Sequence, residues 1–211
     1  MNKYIRFLSY LVVMTWNSSA MADSHVDFFR ALQIDNAGTV AELLKAGFDP
    51  NSRSEKGQPA LLLAMRDESF KSAELLLAQP RIEVDAANAA KETALMMAAL
   101  KGHTGWCRRL IEHGAKVNRE GWSPLHYAAT GPQSATVALL LDRGAAIDAR
   151  APNGNTPLMM ATMFGSEDSV KLLLARGADP RLRNDRQASA ADLARQAGRD
   201  FLVPWLEGTR R

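Results

Sequence analysis

The sequence predicts a solenoid of stacked repeats, each about 33 residues long. Four segments share one apolar pattern, and they lie at 57–65, 91–99, 121–129 and 154–162. Their leucines in register, at spacings of 34, 30 and 33, are Leu61, Leu95, Leu125 and Leu158. An apolar run follows sixteen residues after each leucine, and a glycine closes three of the four runs. Self-similarity at this period is typical of architectures in which each unit is stable only when stacked on its neighbours.

The same phase extends beyond the four central segments in both directions. Residues 26–51 fit one repeat before them, and residues 189–207 fit one repeat after them. The most specific motifs are Ser123-Pro124-Leu125-His126 and Thr156-Pro157-Leu158, supported by endings such as Leu173-Leu174 followed by Gly177-Ala178-Asp179. Six segments match the repeat pattern in phase, and together they give a strong signal across nearly the whole chain after residue 23.

The pattern resembles the ankyrin-repeat family over about residues 24–207. The resemblance implies an all-α solenoid of helix-turn-helix units with hairpin loops, comprising about six repeats including the two caps. The ankyrin-repeat domain is expected to cover residues 23–211. Its repeats are expected at approximately 23–53, 54–87, 88–118, 119–150, 151–183 and 184–211. One hairpin, at 118–121, is about three residues short and is expected to be truncated.

The residues of the repeat suit this fold physically. Ser123 and Thr156 lie where a helix N-cap belongs, and Pro124 and Pro157 follow at the first helical position, where a missing N–H has no cost. Glycines after the second helices allow the left-handed turn that ends them. Small residues are expected where successive first helices pack closely, and these are Ala64, Ala98, Ala128 and Ala161.

The first 22 residues predict a cleavable signal peptide. Lys3 and Arg6 give a positive start, residues 7–16 are apolar, and Ala20-Met21-Ala22 is an A-x-A cleavage signal. The apolar stretch is shorter than the roughly 20 residues that span a bilayer. We expect cleavage between Ala22 and Asp23, a periplasmic location and no membrane insertion after cleavage. The alternative interpretation of residues 1–22 is a buried first helix.

Composition excludes some classes of function. The formal charge is +3, and removal of Lys3 and Arg6 leaves 24 basic against 23 acidic side chains, a charge of +1. A nearly neutral chain gives no reason to expect nucleic acid as a partner. Cys107 is the only cysteine, so no intramolecular disulfide or multi-cysteine zinc site is possible. Its register on a second helix predicts a buried small apolar residue.

The sequence contains no catalytic motif, and we expect no enzyme activity and no cofactor. The histidines have no metal-binding spacing; His126, in the SPLH motif, is structural in the family that the chain resembles. Methionines cluster in or just after the first helices, at Met65, Met96, Met97, Met159, Met160 and Met163. In an exported protein clustered thioethers could bind Cu(I). A copper carrier, or a small enzyme that uses Met and His groups, is therefore the alternative function from a different functional class. Core packing and an adaptable binding surface are the simpler interpretations of these methionines.

The resemblance implies a protein partner that contacts the hairpin tips and the exposed ends of the first helices. Large apolar groups fall at such positions at Leu100, Trp122, Met163 and Phe164, and Trp and Arg dominate interface energies. We therefore expect a site centred on Trp122 and Phe164. The other predicted contact residues are Lys56, Arg66, Arg119, Arg150, Asn153, Asn155 and Arg186. The alternative for Trp122 is plain packing over the neighbouring repeat.

The predicted function is a non-enzymatic periplasmic interaction module. It would act as a monomer and dock a folded partner on its concave face, in an accessory, stabilising or inhibitory role. A toxin-neutralising immunity protein is one form of that role, and the sequence does not separate it from an accessory protein. Scaffolding inside the cell is a further alternative.

Overall fold

The computed structural model describes residues 23–208, and this part of the chain is helical. It contains no β-strand, only an isolated bridge between Arg53 and Pro59. The predicted all-α class is confirmed. Across residues 23–208, no helix has both the length and the apolar character needed to cross a membrane. The predicted signal peptide, residues 1–22, lies outside the described residues.

The chain divides into two compact units between Glu83 and Val84. The helices of the first unit are α1 (23–33), α2 (Ala37–Lys45), α3 (Ala60–Arg66) and α4 (Phe70–Leu77). Those of the second are α5 (Ala94–Lys101), α6 (Thr104–Glu112), α7 (Pro124–Thr130), α8 (Ser134–Asp142), α9 (Pro157–Phe164), α10 (Glu167–Ala175), α11 (Ala190–Gln196) and α12 (Val203–Leu206), with a short 3₁₀ helix at Asp200–Leu202. In the first unit α4 packs on both α2 and α3, and the ring of Phe28 stacks on that of Phe48 at 4.3 Å.

The second unit stacks its helices in two series. The first helices of successive repeats pack in the order α5, α7, α9 and α11, and the second helices pack in the order α6, α8 and α10. Each first helix also packs on the second helix of its own repeat, as α5 does on α6. The expected alanines, Ala98, Ala128 and Ala161, are fully buried in the first helices, as is Ala64 in the first unit.

Two glycines bring the backbones of successive first helices into contact. Gly131 follows α7, and a Cβ added to it would lie 2.8 Å from the carbonyl oxygen of Leu100 at the end of α5. Gly165 follows α9, and its Cβ would overlap the carbonyl oxygen of Ala129. In the last repeat the guanidinium of Arg199 donates to the Ala161 and Thr162 carbonyls of α9 at 3.1 and 2.8 Å. Here side-chain hydrogen bonds, and not a close approach of two backbones, connect the repeat to the preceding first helix.

The predicted helix starts are confirmed in α7 and α9. Thr156 Oγ1 accepts the N–H of Met159 at 3.3 Å, and the N–H of Thr156 donates back to Met159 Sδ at 3.4 Å. In α7 the N–H of Ser123 donates to His126 Nδ1 at 3.2 Å. The third helical position therefore supplies an acceptor to the cap in both repeats, and a methionine sulfur can replace the imidazole nitrogen.

His126 links two repeats as a neutral side chain. Since Nδ1 accepts a backbone N–H, the proton lies on Nε2, which donates to the Asn155 carbonyl at 3.1 Å. Burial lowers the pKa of His126 below its ordinary value, although the hydrogen bonds to backbone carbonyls of Asn155 and Ala149 oppose this shift. The structural role expected of His126 is confirmed.

The hairpin tips are closed by a recurring pair of backbone hydrogen bonds. At residues 88–92 the backbone N–H of Asn88 donates to the carbonyl of Glu92, and the backbone N–H of Lys91 donates to the carbonyl of Asn88. The same pair of bonds recurs at 54–58, 151–155 and 184–188. Residues 116–122 are described in full and form no such pair. They keep only the left-handed residue of the tip, Gly121 with φ of 77°. The expected truncation of this hairpin is confirmed.

Asn and Asp side chains below the tips connect consecutive repeats. Asp85 accepts the N–H of Lys116 at 3.0 Å, Asn118 accepts that of Ala146 at 2.8 Å, and Asp148 accepts that of Asp179 at 3.1 Å. In the first unit Asn51 accepts the N–H of Glu83 at 2.8 Å. These bonds satisfy backbone donors that the turns leave unpaired, and they fix the distance from one hairpin to the next.

The close approach at Gly165 predicts a large effect of one added methyl group. Gly165→Ala should lower the free energy of unfolding by about 3 kcal/mol, because its Cβ would overlap the Ala129 carbonyl oxygen. The φ of −84° excludes backbone strain as the cause. The control is Gly105→Ala in α6, where a Cβ meets nothing within 4 Å and the gain should be up to about 1 kcal/mol. Urea unfolding of both variants measures this; a similar effect of the two substitutions would contradict the contact.

The neutral state of His126 predicts a pH-dependent stability. Below its ordinary pKa of about 6.5 the unfolded chain binds the proton that the folded chain excludes, so the free energy of unfolding falls as the pH drops through that value. Urea unfolding at pH 7.5 and at about pH 5 should show this loss. His126→Ala should be less stable at both pH values but lose less between them. His113→Ala, which replaces an exposed histidine, is the control and should keep the wild-type difference.

Candidate partner-binding site

Trp122 lies where the truncated hairpin enters α7. It follows the left-handed Gly121 and precedes the N-cap Ser123, so both neighbours hold its backbone in a defined conformation. Its indole contacts the imidazole of His126 edge-to-face, with ring centroids 5.4 Å apart. The residue is half-buried. Trp122 is thus partly packed against His126, and it also lines two open clefts.

The first cleft, which we call the apolar groove, has a volume of about 200 Å³. Its lining residues come from the end of α5, from α7 and from α9, and they are Leu100, Trp122, His126, Tyr127, Thr130 and Met160. Tyr127 and Met160 occupy the same register of successive repeats, two residues after the register leucines. The groove is therefore built by stacking of first helices and would not exist in an isolated repeat.

The second cleft, which we call the tip cleft, lies among three consecutive hairpins of the second unit. Its volume is about 500 Å³, and it is lined by Ala89, Ala90, Lys91, Glu120, Gly121, Trp122, Arg150, Ala151 and Pro152. Full-length tips stand on either side of the short one. Trp122 lines both clefts, so the apolar groove and the tip cleft meet at its indole.

A chain of hydrogen bonds holds the side of the groove next to α5. The phenol of Tyr127 donates to Glu92 Oε1 at 3.0 Å, and Asn88 Nδ2 donates to Glu92 Oε2 at 2.8 Å. Burial, followed by the charge of Glu92, raises the pKa of Tyr127 well above its usual range. Both oxygens of this carboxylate are engaged, and the phenol stays protonated as a donor.

The predicted apolar contacts are only partly brought together. Leu100 and Trp122 line the same groove, and 37% of Leu100 is exposed. Phe164 is 65% exposed and Met163 is half-buried, at the end of α9. Neither is among the residues that line the two clefts. The binding role of all four residues stays a prediction.

The predicted arginines differ in how they are held. The guanidinium of Arg119 lies 3.9 Å from the carboxylate of Asp85 and is half-buried. Arg150 is exposed, and its Nη2 donates to the carbonyl of Arg183 at 2.6 Å. A guanidinium fixed in this way keeps its remaining donors available for a carboxylate. Of the two, Arg150 lines the tip cleft.

Asn155 is placed differently from its expected position on an exposed loop. Only 6% of it is exposed, and its side chain accepts from Asn184 Nδ2 at 2.8 Å while its carbonyl accepts from His126. The following hairpin covers it, so it acts in the connection between repeats. Asn153, two residues earlier, is exposed at the tip, and its Oδ1 accepts the N–H of Asn155 at 3.1 Å.

The remaining predicted contacts lie outside the two clefts. Lys56 and Arg66 are exposed and line a separate cleft of about 380 Å³ in the first unit, together with Phe29 and Leu63. Arg66 donates to the carboxylate of Asp67 at 2.8 Å. In the second unit Arg186 is exposed within the turn at 184–188.

Within residues 23–208, no three His, Cys, Asp or Glu side chains converge as a metal site would require. Cys107 is buried as expected, and burial raises the pKa of its thiol to about 12, which keeps it protonated.

The predicted contact residues do not include Tyr127, Met160 and Lys91, which line the clefts. Met160 is considered only among the clustered methionines, although its register places it beside Tyr127. Lys91 takes a left-handed backbone with φ of 62° at a position where two other tips have Gly57 and Gly154 and the last tip has Gln187. Lys91 also lines the tip cleft. Alignment of the repeats places Tyr127 and Met160 in one register, whereas the loss of the tip glycine at Lys91 is a signal that Gln187 shares.

Comparison with known proteins gives the family. A family model described as ankyrin repeats (3 copies) matches residues 28–120, 71–151 and 116–184. The neurogenic locus notch homolog protein 4 of Homo sapiens is 42% identical over 92 residues, which are 42% of this chain and 5% of that protein. The ankyrin repeat and SAM domain-containing protein 6 of Mus musculus is 36% identical over 141 residues, 65% of this chain and 16% of that protein.

A third relative matches in the same way. The nuclear factor NF-kappa-B p105 subunit of Gallus gallus is 30% identical over 155 residues, which are 70% of this chain and 16% of that protein. The chain spans at most 16% of the length of these three relatives, so the likeness concerns their repeats. The chain belongs to the ankyrin-repeat family, whose repeats generally serve as protein–protein interaction modules and are typically not enzymes.

Proposed function

We propose that this chain is an exported, non-enzymatic binding protein that docks a folded partner protein on its second unit, with Trp122 at the centre of the site. The observation that carries the proposal is that the indole of Trp122 is shared by an apolar groove and a cleft with charged walls. Protein interfaces combine a buried apolar centre with a polar rim, and Trp is enriched among the residues that dominate their energies.

Exposed apolar side chains near the end of the first helices support the same surface. Phe164 and Leu100 are 65% and 37% exposed, and large apolar groups clustered at a surface commonly mark interaction sites. Leu100 lines the apolar groove, and Phe164 adds an exposed apolar group outside the two clefts, at the end of α9.

The polar groups of the site support binding without catalysis. His126 uses both ring nitrogens in internal hydrogen bonds, and Glu92 uses both carboxylate oxygens. Groups engaged in this way position the indole and the phenol, and they are not available to exchange protons with a substrate. The proposed role, accessory or inhibitory, therefore depends on shape and charge alone.

The methionines favour core packing over copper binding. Four of the six clustered methionines, Met65, Met96, Met97 and Met159, are buried. Met159 Sδ already accepts the N–H of Thr156. A Cu(I) site needs thioether sulfurs that turn toward one another and toward an entry path, whereas these fill gaps between helices.

Export to the periplasm rests on the signal-peptide pattern of residues 1–22. Expression of the full chain in a Gram-negative host should give a periplasmic protein whose N-terminus is Asp23, as measured by intact mass and N-terminal sequencing. A variant with Ala20→Leu and Ala22→Leu should stay uncleaved, because the cleavage site requires small residues. Uncleaved wild-type protein in the cytosol would contradict export.

The binding site is tested by truncating its central side chain. Trp122→Ala should weaken capture of the partner from periplasmic extract by more than about tenfold, because interface tryptophans dominate binding energies. The thermal unfolding midpoint should fall by no more than about 3 °C, because Trp122 is only half-buried and its ring contact with His126 contributes about 0.5–1.5 kcal/mol. Affinity capture with mass spectrometry measures the first quantity and calorimetry the second.

Trp106→Ala is the matched control for this variant. Trp106 is also half-buried in the second unit but lies on α6, away from both clefts, with the guanidinium of Arg109 4.7 Å from its ring. Trp106→Ala should leave capture of the partner unchanged. A loss of several degrees in Trp122→Ala with capture intact would show that Trp122 only packs. The affinity for the captured partner then separates the two roles, since a toxin-neutralising protein requires much tighter binding than an accessory protein.

A further inference from the structure

The tip cleft exists because one hairpin is shorter than its neighbours. The register leucines Leu95 and Leu125 are 30 residues apart, whereas the other spacings are 33 and 34. The helices on either side still stack, because α5 packs on α7 and α7 on α9. The deletion is therefore confined to the tip, where it leaves a space between the tips at 88–92 and 151–155. A partner must bring a protruding segment to fill that space.

The walls of the tip cleft are more basic than acidic. Lys91 and Arg150 line it together with one carboxylate, Glu120. The guanidinium of Arg150 is held in place by the Arg183 carbonyl at 2.6 Å, so little side-chain entropy is lost when it binds an anion. Lys91 is exposed on the opposite tip.

Two carboxylates near the neighbouring hairpins make contacts of their own, and a third, that of Asp185, lies beside Gly154 in the tip at 151–155. Glu92 accepts from Tyr127 and Asn88, and Asp85 accepts the N–H of Lys116 and lies 3.9 Å from Arg119. The charge of Asp85 is thus partly neutralised by Arg119, whereas the oxygens of Glu92 are occupied by neutral donors. The surface offers cations at two sides of the cleft and an apolar groove beyond Trp122.

We propose that the tip cleft and the apolar groove together take an acidic loop of the partner, in which one aromatic or aliphatic side chain is flanked by carboxylates. The apolar side chain enters the groove beside Trp122, and the carboxylates meet Lys91 and Arg150. Carboxylates form charge-assisted hydrogen bonds with ammonium and guanidinium groups, and a bidentate pair with Arg also fixes orientation. This inference rests on the proposed function and names the chemistry of the partner.

Short synthetic peptides test the chemistry before any partner is known. The probes are acetylated amides of Ser-Glu-Phe-Glu-Ser, Ser-Lys-Phe-Lys-Ser and Ser-Glu-Gly-Glu-Ser. Their affinities for the chain from Asp23 onward are measured by NMR from the shift of the Trp122 indole N–H, assigned with Trp122→Phe. The first peptide should bind about tenfold or more tightly than either of the others, because it alone supplies both the charge and the ring.

Charge reversal gives the decisive comparison. Lys91→Glu combined with Arg150→Glu should reverse the preference, so that the lysine peptide binds more tightly than the glutamate peptide. The matched control, Arg108→Glu with Lys116→Glu, changes the net charge of the same unit equally at exposed residues outside both clefts, and it should keep the wild-type order. Thermal unfolding of both variants verifies that they fold.

Three results would overturn the proposal: equal binding of the three peptides, an unchanged order in the cleft variant, or a reversed order in the control variant as well. The test is independent of the capture experiment. If Trp122-dependent capture succeeds and the peptides show no such preference, only the acidic-loop inference fails. If Trp122→Ala also leaves capture unchanged, the proposed function fails with it.

Discussion

The close approach of successive first helices is the constraint on which the second unit depends. Ala98, Ala128 and Ala161 are fully buried where these helices meet, and at Gly165 a single methyl group would overlap the Ala129 carbonyl oxygen. Because the helices cannot move apart without losing this contact, they keep their spacing even where the chain between them is short. The shortened segment at 118–121 therefore truncates the hairpin, while the packing of α7 on its neighbouring first helices is kept. The tip cleft is the direct result.

The polar groups of the repeat follow from the same spacing. Each first helix begins with donors that no helical carbonyl can satisfy, so an acceptor is needed at the cap. His126 Nδ1 supplies it in one repeat and Met159 Sδ in the next. Only the imidazole has a second nitrogen, and it reaches the Asn155 carbonyl one repeat away. The neutral His126 thus caps α7, connects two repeats and packs against the indole of Trp122. The side chain that makes folding depend on pH is therefore also the one that positions the centre of the proposed site.

Features with a local or periodic signature were predictable from the sequence, and features made across repeats were not. The caps at Ser123 and Thr156 follow from local motifs, and the burial of Cys107 and the short hairpin follow from the register of the repeats. Burial of Asn155 does not, because the residue that covers it, Asn184, is 29 positions away. The bond from Tyr127 to Glu92 spans 35 positions. The sequence of one hairpin tip predicts only that its side chains are exposed. Whether such a side chain instead contacts the next repeat depends on the neighbouring tip.

Packing and binding are not alternatives for Trp122 in this arrangement. Its edge-to-face contact with His126 contributes about 0.5–1.5 kcal/mol, which is enough to hold the indole in one orientation but small beside the 2 kcal/mol or more that an interface tryptophan commonly contributes. A side chain that is already ordered loses less entropy when a partner arrives. The backbone is fixed as well, between the left-handed Gly121 and the cap of α7. The packing alternative and the proposed binding role of Trp122 are therefore compatible, since a half-buried side chain that is already ordered suits a pre-organised contact residue.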